Sequence, residues 1–314
     1  MSAKRLPRTL ETYISKIQLT RDTSTLSFRI SSSTNGLTMA SDTIGIFNYM
    51  LAPSDGSRPY STINSDSTTG KRDRNWVEDT HDIRIEDVRG KEELYKLDIA
   101  GFQYGREAAK HTSFLNDDEV EREYYSESID LIKRVTGATR IVIFDHTIRR
   151  RRPGEVDDGP QKRQPVPLVH VDQTTASSIA RVHRHLPPTE APSLLRRRFQ
   201  IINLWRPISH AAVDWPLALC DFRSLDYEKD LVPVTLVYPD HEGETFGVIY
   251  NPNHQWKYMK AMTPEEFVLI KCFDSVQDGS VARLTPHTGF QDPNTPEGAP
   301  LRESIELRVL VFYD

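Results

Sequence analysis

The second half of this chain contains a series of short, strand-like segments, and this feature restricts the fold more than any other. Strands are predicted at residues 199–205, 231–238, 246–250, 283–290 and 302–312. Few helical patterns separate these segments, which argues against an alternating β/α fold. The chain is therefore predicted to be mainly β with flanking helices, and its core to be a double-stranded β-helix of the jelly-roll or cupin-like type.

The first third of the chain differs, because its strand patterns are separated by long polar connections. Alternating apolar residues predict strands at 25–30 and 81–85. We expect a single domain over residues 1–314, since one large domain of that length can bury a sizeable core. It would consist of an N-terminal β and loop extension at 1–115, followed by the double-stranded β-helix with its helices at 116–314.

Residues 53–74 lie between those two strands and are dense in Ser, Asp, Gly, Pro and Thr, so they are predicted to be a loop or a lid. Tyr60, Asn75 and Trp76 lie in or beside this segment. They are candidates to line a substrate cavity, and Tyr60 and Asn75 are our predicted substrate-binding residues there. A surface loop with one packed aromatic residue would explain the same pattern.

Three helices are predicted to flank the strands. Asn116 caps the first, whose apolar residues follow helical spacing until Gly137 ends it. The second covers residues 174–185. Pro264 stands at a first helical position and opens the third, which is predicted to run towards Lys271.

Four consecutive arginines at 149–152 follow a buried strand predicted at 140–144. A nucleic-acid patch is one interpretation of such a run. However, acidic residues follow at 155–158, and the chain has 40 basic and 45 acidic residues, a net charge of −5. This balance favours a solvated loop that neutralises itself, so no nucleic-acid partner is expected.

The sequence also gives no sign of a membrane or a secreted setting. No apolar run approaches the length of a membrane span, and the N-terminus lacks the apolar core of a secretory signal. Cys220 and Cys272 are too few for a disulfide framework and wrongly spaced for a structural zinc site. We therefore expect a cytoplasmic protein without a membrane partner.

His170 and Asp172 stand two residues apart in a run rich in Val and Leu. On a strand, this spacing points both side chains to the same face. An imidazole nitrogen beside a carboxylate oxygen is two-thirds of the 2-His-1-carboxylate arrangement that holds non-haem Fe(II). The alternative for an isolated pair is a hydrogen-bonded couple at a strand end.

A third ligand must come from farther along the chain. Four histidines are candidates: His210, His241, His254 and His287. The first three lie in turn-rich sequence, whereas His287 is in a strand-like context just before the final strand. His287 is therefore the best third ligand, and a surface histidine after Pro286 is its alternative.

The final strand carries polar residues on one face. Arg302, Ser304, Glu306 and Arg308 alternate with apolar residues and would all face one way. Burying two arginines and a serine together is unfavourable unless an anion lies there. A dicarboxylate that chelates the metal with one end and meets Arg302 and Ser304 with the other fits this pattern, and 2-oxoglutarate is such a molecule. The alternative is that Glu306 pairs with one of the arginines.

Several further segments stand out in the second half of the chain. In order, they are HVD (170–172), RFQIINLWRPI (198–208), PLALCDFRS (216–224), YNPNHQWKYMKAMTPEE (250–266), KCFDS (271–275), PHTGFQDP (286–293) and RESIELRVLVFYD (302–314). Taken together, they resemble a fungal and bacterial group that includes the gibberellin GA4 desaturase-like and AsaB-like hydroxylase/desaturases and the cephalosporin 7-alpha-methoxylation component. The resemblance covers about residues 80–314.

The resemblance implies an Fe(II)/2-oxoglutarate-dependent oxygenase that uses O2 and serves a secondary-metabolite pathway. Its substrate would be a small natural-product intermediate that is hydroxylated, desaturated or cyclised, while 2-oxoglutarate is oxidatively decarboxylated to succinate and CO2. The iron ligands carry over onto His170, Asp172 and His287, and the oxoglutarate-binding arginine onto Arg302. Arg308 is a second candidate for that contact.

The segment around Asn203 is the other dense patch of the resemblance. An inward-facing Asn203 would hydrogen-bond the oxoglutarate or a metal-bound group, and Arg206 would hold an acidic group of the substrate. The structural alternative is that Trp205 packs in the core and that Arg206 pairs with an acid such as Asp221 or Asp226.

Two other functions fit part of the pattern. A cupin-type metal-dependent hydrolase or isomerase would use the same three ligands, but it needs no dicarboxylate clamp. A non-catalytic accessory subunit of a biosynthetic oxygenase would keep the fold without the chemistry. The sequence leaves open whether the protein forms a homodimer.

Overall fold

The computed structural model describes residues 42–66, 68–157 and 159–314. The strand predicted at 25–30 lies outside the described residues. The strands are β1 (Thr43–Leu51), β2 (Tyr60–Thr62), β3 (Val77–Asp87), β4 (Phe102–Arg106), β5 (Arg140–Arg150), β6 (His170–Val171), β7 (Phe199–Pro207), β8 (Leu217–Cys220), β9 (Leu231–Val237), β10 (Glu242–Val248), β11 (Trp256–Tyr258), β12 (Glu266–Asp274), β13 (His287–Gly289) and β14 (Glu303–Phe312).

Short helices connect these strands. They are α1 (Asp117–Glu119), which continues through a π-helical turn (Val120–Tyr124) into α2 (Tyr125–Thr136), then α3 (Thr175–His185), α4 (Ala191–Leu194) and α5 (Tyr227–Asp230), with 3-10 turns at Glu92–Leu94, Pro160–Lys162 and Phe222–Ser224. None of the described helices is long and apolar enough to cross a membrane.

The described strands form two sheets. The larger has the order β1-β3-β11-β8-β13-β6-β10-β9-β2, and the smaller has the order β4-β12-β7-β14-β5. The mainly β, jelly-roll prediction is thus confirmed. Strands from before residue 115 lie in both sheets, because β1, β2 and β3 join the larger and β4 forms an edge of the smaller.

The two faces of the smaller sheet have different environments. On its outer face, Leu204 of β7 and Leu307 of β14 are fully buried in one apolar cluster with Leu131 and Ile132 of α2. Side chains of alternate residues point to the opposite face. The alternation predicted in the final strand is therefore confirmed. Its polar face, with Arg302, Ser304, Glu306 and Arg308, points away from α2.

Two predicted helices are confirmed, and both have the expected caps. The side chain of Asn116 accepts hydrogen bonds from backbone amides in the first turn of α1, and Gly137 ends α2 with a φ of 71°. Thr174 caps α3 in a reciprocal capping box with Ser177. These boundaries depend on local chemistry, which is why the sequence reveals them.

The helix predicted from Pro264 towards Lys271 is wrong, since this segment is strand β12. β12 lies between β4 and β7, and all nine of its residues are buried. A strand covered on both faces shows a continuous apolar run without alternation, so its sequence resembles that of a buried helix.

The solvated loop predicted for the four arginines is also wrong at its start. Arg149 and Arg150 are the last two residues of β5, which pairs with β14 along its whole length. Arg151 does pair with an acid, Asp214, with Nη1 and Oδ1 2.6 Å apart. The run therefore begins inside the smaller sheet, where its first residue faces a cavity described below.

Candidate metal centre

Three side chains converge where β6 and β13 meet. The strands are antiparallel neighbours, and His170 lies directly opposite His287. Asp172 follows immediately after β6. The potential ligand atoms of the three residues all lie within 4.8 Å of one another. The carboxylate oxygen Oδ1 of Asp172 is 3.3 Å from Nε2 of His170 and 3.8 Å from Nε2 of His287.

Both imidazole rings are oriented by backbone carbonyl groups. Nδ1 of His170 donates to the carbonyl oxygen of Leu168 at 2.8 Å, and Nδ1 of His287 donates to that of Thr285 at 3.0 Å. Each contact fixes the proton on Nδ1 and leaves Nε2 with a free lone pair. Burial, followed by the neighbouring His170, lowers the pKa of His287, which favours the neutral form that binds metals.

The carboxylate of Asp172 is held on its other side. Its Oδ2 accepts hydrogen bonds from Nδ2 of Asn203 at 2.7 Å and from Nε of Arg308 at 3.3 Å. Burial alone would raise the pKa of Asp172, but the neighbouring imidazole of His170 and the charge of Arg308 outweigh it. The pKa therefore lies well below its usual range, and the ligand is an anion at neutral pH.

This donor set fits Fe(II). Two neutral imidazole nitrogens and one carboxylate oxygen form the three-ligand face that leaves other coordination positions open. The structure brings His287 to this point but not the other candidates. His254 is paired with Asp230 at 3.0 Å, His241 stacks on Tyr238, and His210 hydrogen-bonds a neighbouring carbonyl.

A cavity of about 870 Å³ adjoins the three-residue cluster, and His170, Asp172 and Arg308 form part of its wall. Its size is within the range of small-molecule sites in proteins. The segment predicted as a lid contributes Ser61 and Ile63 to the same wall. The arrangement offers a metal, a cosubstrate and an organic substrate a shared space.

Comparisons with known proteins agree with this chemistry. A family model described as an oxidoreductase/YMDC permease-like domain matches residues 47–312. The hydroxylase/desaturase efuI of Hormonema carpetanum is 34% identical over 75% of this chain and 84% of its own length. The Fe(II)/2-oxoglutarate-dependent dioxygenase nvfI of Aspergillus novofumigatus is 32% identical over 76% of this chain and 84% of its own. The chain belongs to the Fe(II)/2-oxoglutarate-dependent oxygenases.

A solved structure supports the same assignment. The iron and alpha-ketoglutarate-dependent endoperoxidase NvfI superposes with a TM-score of 0.76 at 28% identity, covering 87% of this chain and 98% of that one. The predicted fold, enzyme class and family are therefore confirmed. The cofactors of this oxygenase are Fe(II), 2-oxoglutarate and O2, and His170, Asp172 and His287 form the group of described residues suited to the metal.

Arg302 and Ser304 are buried beside each other on the inner side of β14. Nη1 of Arg302 donates to the carbonyl oxygen of Trp215 at 2.8 Å, and its guanidinium lies 5.6 Å from the ring centroid of Trp205. Gly289 allows this approach, because a Cβ there would lie 3.2 Å from Nη1. Nε of Arg302 and Oγ of Ser304 have no hydrogen-bond partner among the described residues.

Arg308 is in a different situation, since each of its three guanidinium nitrogens already has a partner. Besides Asp172, its guanidinium contacts Oε1 of Glu306 at 2.8 Å, Oδ2 of Asp145 at 3.1 Å and Oγ1 of Thr147 at 2.8 Å. Of the two arginines that the sequence left open, Arg308 holds the carboxylate of Asp172 in place. Arg302 is the one with a free donor.

Asn203 and Arg206 lie on opposite faces of β7. Asn203 points inward to Asp172, and Oδ1 of its amide has no partner among the described residues. Arg206 lies between the rings of Tyr124 and Phe267 in the helix-facing layer and donates to the carbonyl oxygens of Glu107 and Pro264. The structure thus places Arg206 away from the cavity, and its partners are carbonyl groups rather than the acids we considered.

Tyr60 and Asn75 contact each other, but neither of them lines the cavity. The side-chain oxygen of Asn75 accepts from the backbone amide of Tyr60 at 2.8 Å, and the Tyr60 hydroxyl donates to Asp73 at 3.1 Å. Their neighbours Ser61 and Trp76 line the cavity instead. The sequence identified the right segment, but it did not show that Tyr60 and Ser61 lie on the short strand β2, or which of them faces inward.

The residue that the sequence argument missed is Arg149. It lines the same cavity as His170 and Asp172. The available signal was its position two residues after Thr147 in an apolar strand, which places both on one face of β5. The arginines and acids that follow concealed this signal, because the run as a whole resembles a solvated loop.

Proposed function

We propose that this oxygenase oxidises a small-molecule natural-product intermediate at an Fe(II) ion held by His170, Asp172 and His287. The observation that carries the proposal is the convergence of these three ligand groups at the wall of a cavity large enough for an organic substrate. The names of the similar proteins, which include hydroxylase/desaturases and an endoperoxidase, support hydroxylation, desaturation or oxidative cyclisation as the reaction.

The chain's own residues bind and orient the reactants. Fe(II) and 2-oxoglutarate, when bound, supply the oxidation of a C–H bond by O2, with decarboxylation of 2-oxoglutarate to succinate and CO2. The two Nε2 atoms and Oδ1 of Asp172 hold the metal, while Asn203 and Arg308 fix the carboxylate from behind. The surrounding wall excludes water from the reacting centre.

The test is anaerobic addition of Fe(II) and 2-oxoglutarate to the protein, followed by visible spectroscopy. A weak charge-transfer band is expected, and with O2 and a substrate the protein should form succinate. Absence of both the band and substrate-dependent succinate would overturn the proposal.

We further propose that Arg302 and Ser304 hold the distal carboxylate of 2-oxoglutarate. Replacing Arg302 with alanine should raise the dissociation constant for 2-oxoglutarate about 10- to 100-fold, the effect of losing hydrogen bonds to a charged group. Iron binding should be almost unchanged, because Arg302 does not contact the three ligands. Titration of the anaerobic absorption band measures both quantities.

Arg308→Gln is the comparison variant for this experiment. Since Arg308 contacts Asp172, its replacement should weaken iron binding first, by about 10- to 100-fold as for other outer-shell partners of metal ligands. If Arg302→Ala leaves the 2-oxoglutarate requirement unchanged while Arg308→Gln raises it, the clamp is Arg308 instead.

Two observations favour an oxygenase over the alternatives. A metal-dependent hydrolase or isomerase has no use for a buried arginine and serine whose polar atoms lack partners, whereas a dicarboxylate would satisfy both. A non-catalytic accessory subunit needs neither three intact ligand groups nor a substrate-sized cavity, and this chain has both.

The remaining predictions stand as proposals. We propose a single oxygenase domain over residues 1–314, with the 53–74 segment as the substrate lid, since Arg58, Ser61 and Ile63 contribute to the cavity wall. We also propose a cytoplasmic location, consistent with two buried free cysteines, and a homodimer as the form to test by light scattering. Arg206, Tyr60 and Asn75 would then act on substrate only indirectly, through the segments they hold.

A further inference from the structure

Arg149 is a cationic residue at the wall of the cavity without an acidic partner. Its Nη1 donates to the carbonyl oxygen of Gln164 at 2.9 Å, and no carboxylate of the described residues lies within ion-pair distance. The side chain is half-buried. A guanidinium has five N–H donors in a rigid fork, and removing it from water without an anion is unfavourable.

The other arginines of the wall differ from Arg149. Among the described residues, eight arginines line the cavity, Arg149 included: Arg58, Arg72, Arg149, Arg150, Arg163, Arg181, Arg184 and Arg308. Four of them have carboxylate partners, namely Arg58 with Glu244, Arg150 with Glu303, Arg163 with Asp157, and Arg308 with Asp172. Among the unpaired four, Arg72 and Arg184 are exposed and Arg181 lies over the ring of Phe144. Only Arg149 among these four is on the smaller sheet and close enough to Asp172 to feel its charge.

Two polar side-chain atoms near Arg149, at the start of β14, also lack partners among the described residues. Arg149 is directly opposite Ser304 in the strand register, and the hydroxyl of Ser304 is buried without a hydrogen bond. Arg302 is two residues away on the same face, with Nε unpartnered. The nearest acid on this face, Glu306, is held by Arg308. Two guanidinium groups and a hydroxyl thus share one region whose nearest carboxylate is already paired with Arg308.

The guanidinium groups of Arg149 and Arg302 lie close enough for their charges to repel each other. Burial lowers the pKa of Arg302 to about 9, and the largest further cause is the positive charge of Arg149. Burial likewise lowers the pKa of Arg149. A bound carboxylate would reverse both effects, because it would neutralise the repulsion and supply acceptors for the free donors.

We propose that Arg149 is a second arginine of the site for the distal carboxylate of 2-oxoglutarate, on the cavity side of Arg302 and Ser304. The inference rests on the proposed function and extends it. Arg302 itself is not part of the cavity wall, whereas Arg149 is. The carboxylate therefore meets Arg149 from the cavity, and Ser304 and Arg302 from behind.

The experiment compares two 2-oxo acids that differ only at the distal end. 2-Oxoglutarate carries a carboxylate there, and 2-oxopentanoate carries a methyl group. Both are titrated anaerobically into the Fe(II) protein, and the visible absorption band gives a dissociation constant for each. For Arg149→Gln, we expect the constant for 2-oxoglutarate to rise about tenfold or more and that for 2-oxopentanoate to change less than about twofold.

Arg181→Gln is the matched control, because Arg181 also lines the cavity without an acidic partner but lies on α3. It should leave both constants nearly unchanged. An equal loss in Arg181→Gln would assign the effect to the general positive potential of the cavity and overturn the proposal. An unchanged preference for 2-oxoglutarate in Arg149→Gln would also overturn it, and would leave Arg149 for an anionic group of the substrate.

Two further measurements keep the outcomes separate. Arg149→Lys retains the charge but loses the fork, so it should show an intermediate loss if the protein folds. If the unmodified protein gives no band with either 2-oxo acid, the proposed function fails. If the unmodified protein gives the band but Arg149→Gln leaves both dissociation constants unchanged, this inference alone fails.

Discussion

Replacing Asp172 with alanine is expected to abolish Fe(II) binding at any practical concentration. Asp172 supplies the single anionic ligand, and its carboxylate lies between the two imidazole Nε2 atoms at 3.3 and 3.8 Å. Loss of a partner behind a metal ligand already costs about 10- to 100-fold in affinity. Loss of the charged ligand itself should cost more, and His170→Ala should follow in the same direction with a smaller loss.

Isothermal titration under anaerobic conditions measures this effect without any turnover. His183→Ala is the control, since His183 is exposed on α3 and belongs to no metal group among the described residues. It should bind Fe(II) as the unmodified chain does. Retention of tight Fe(II) binding by Asp172→Ala would show that the metal lies elsewhere and would remove the basis for the oxygenase site.

The candidate metal ligands could be predicted from the sequence because they lie on or beside regular strands. His170 and Asp172 are two residues apart at the end of β6, so their side chains share a region whatever the rest of the fold. The inner face of the final strand could be predicted for the same reason, since Ile305 and Leu307 alternate with Ser304, Glu306 and Arg308. In both cases the local period of two carries the information, and tertiary packing only selects which face is inside.

Tertiary packing, and not the local period, decides the structure of β12. It is buried on both faces, so its apolar run has no period that could distinguish it from a helix. Arg206 differs, because the period of two already places it on the face of β7 opposite Asn203; it was predicted to hold the substrate from its neighbours in sequence alone. Arg149 was hidden because a strand and a charged turn share one run of like residues.

The buried Lys271 in β12 could not be placed by sequence reasoning either, and it leads to the second large effect that we expect. Lys271→Met should lower the free energy of unfolding by about 3 kcal/mol, the magnitude for breaking a buried ion pair by removing one partner. Nζ of Lys271 is fully buried and lies 2.6 Å from Oδ1 of Asp98 and 2.8 Å from Oδ2 of Asp274. It also donates to the carbonyl oxygen of Ala282 at 2.8 Å. Methionine fills the same volume, so the loss would come from the buried carboxylate of Asp274, which would keep Arg198 and Gln200 but lose the ammonium group, and not from a cavity.

Denaturant unfolding at several pH values tests this explanation. Burial alone would raise the pKa of Asp274, but its hydrogen bond with Arg198 and the charge of Lys271 outweigh this and lower it. A carboxylate whose pKa is depressed in the folded state stabilises the fold above its unfolded pKa and loses that contribution as the pH falls. The difference between the two proteins should therefore begin to shrink below about pH 4, where aspartate is protonated in the unfolded chain, and continue to shrink as the pH falls through the lower pKa that Asp274 has in the fold.

Lys229→Met is the matched control, because Lys229 pairs with Asp226 at 2.6 Å but is exposed at the surface. An exposed pair of this kind adds little to stability, so no clear change in unfolding is expected at any pH. If Lys271→Met were as stable as the unmodified chain at neutral pH, Arg198 alone would suffice for Asp274. β12 would then be held by its apolar contacts and its hydrogen bonds to β4 and β7.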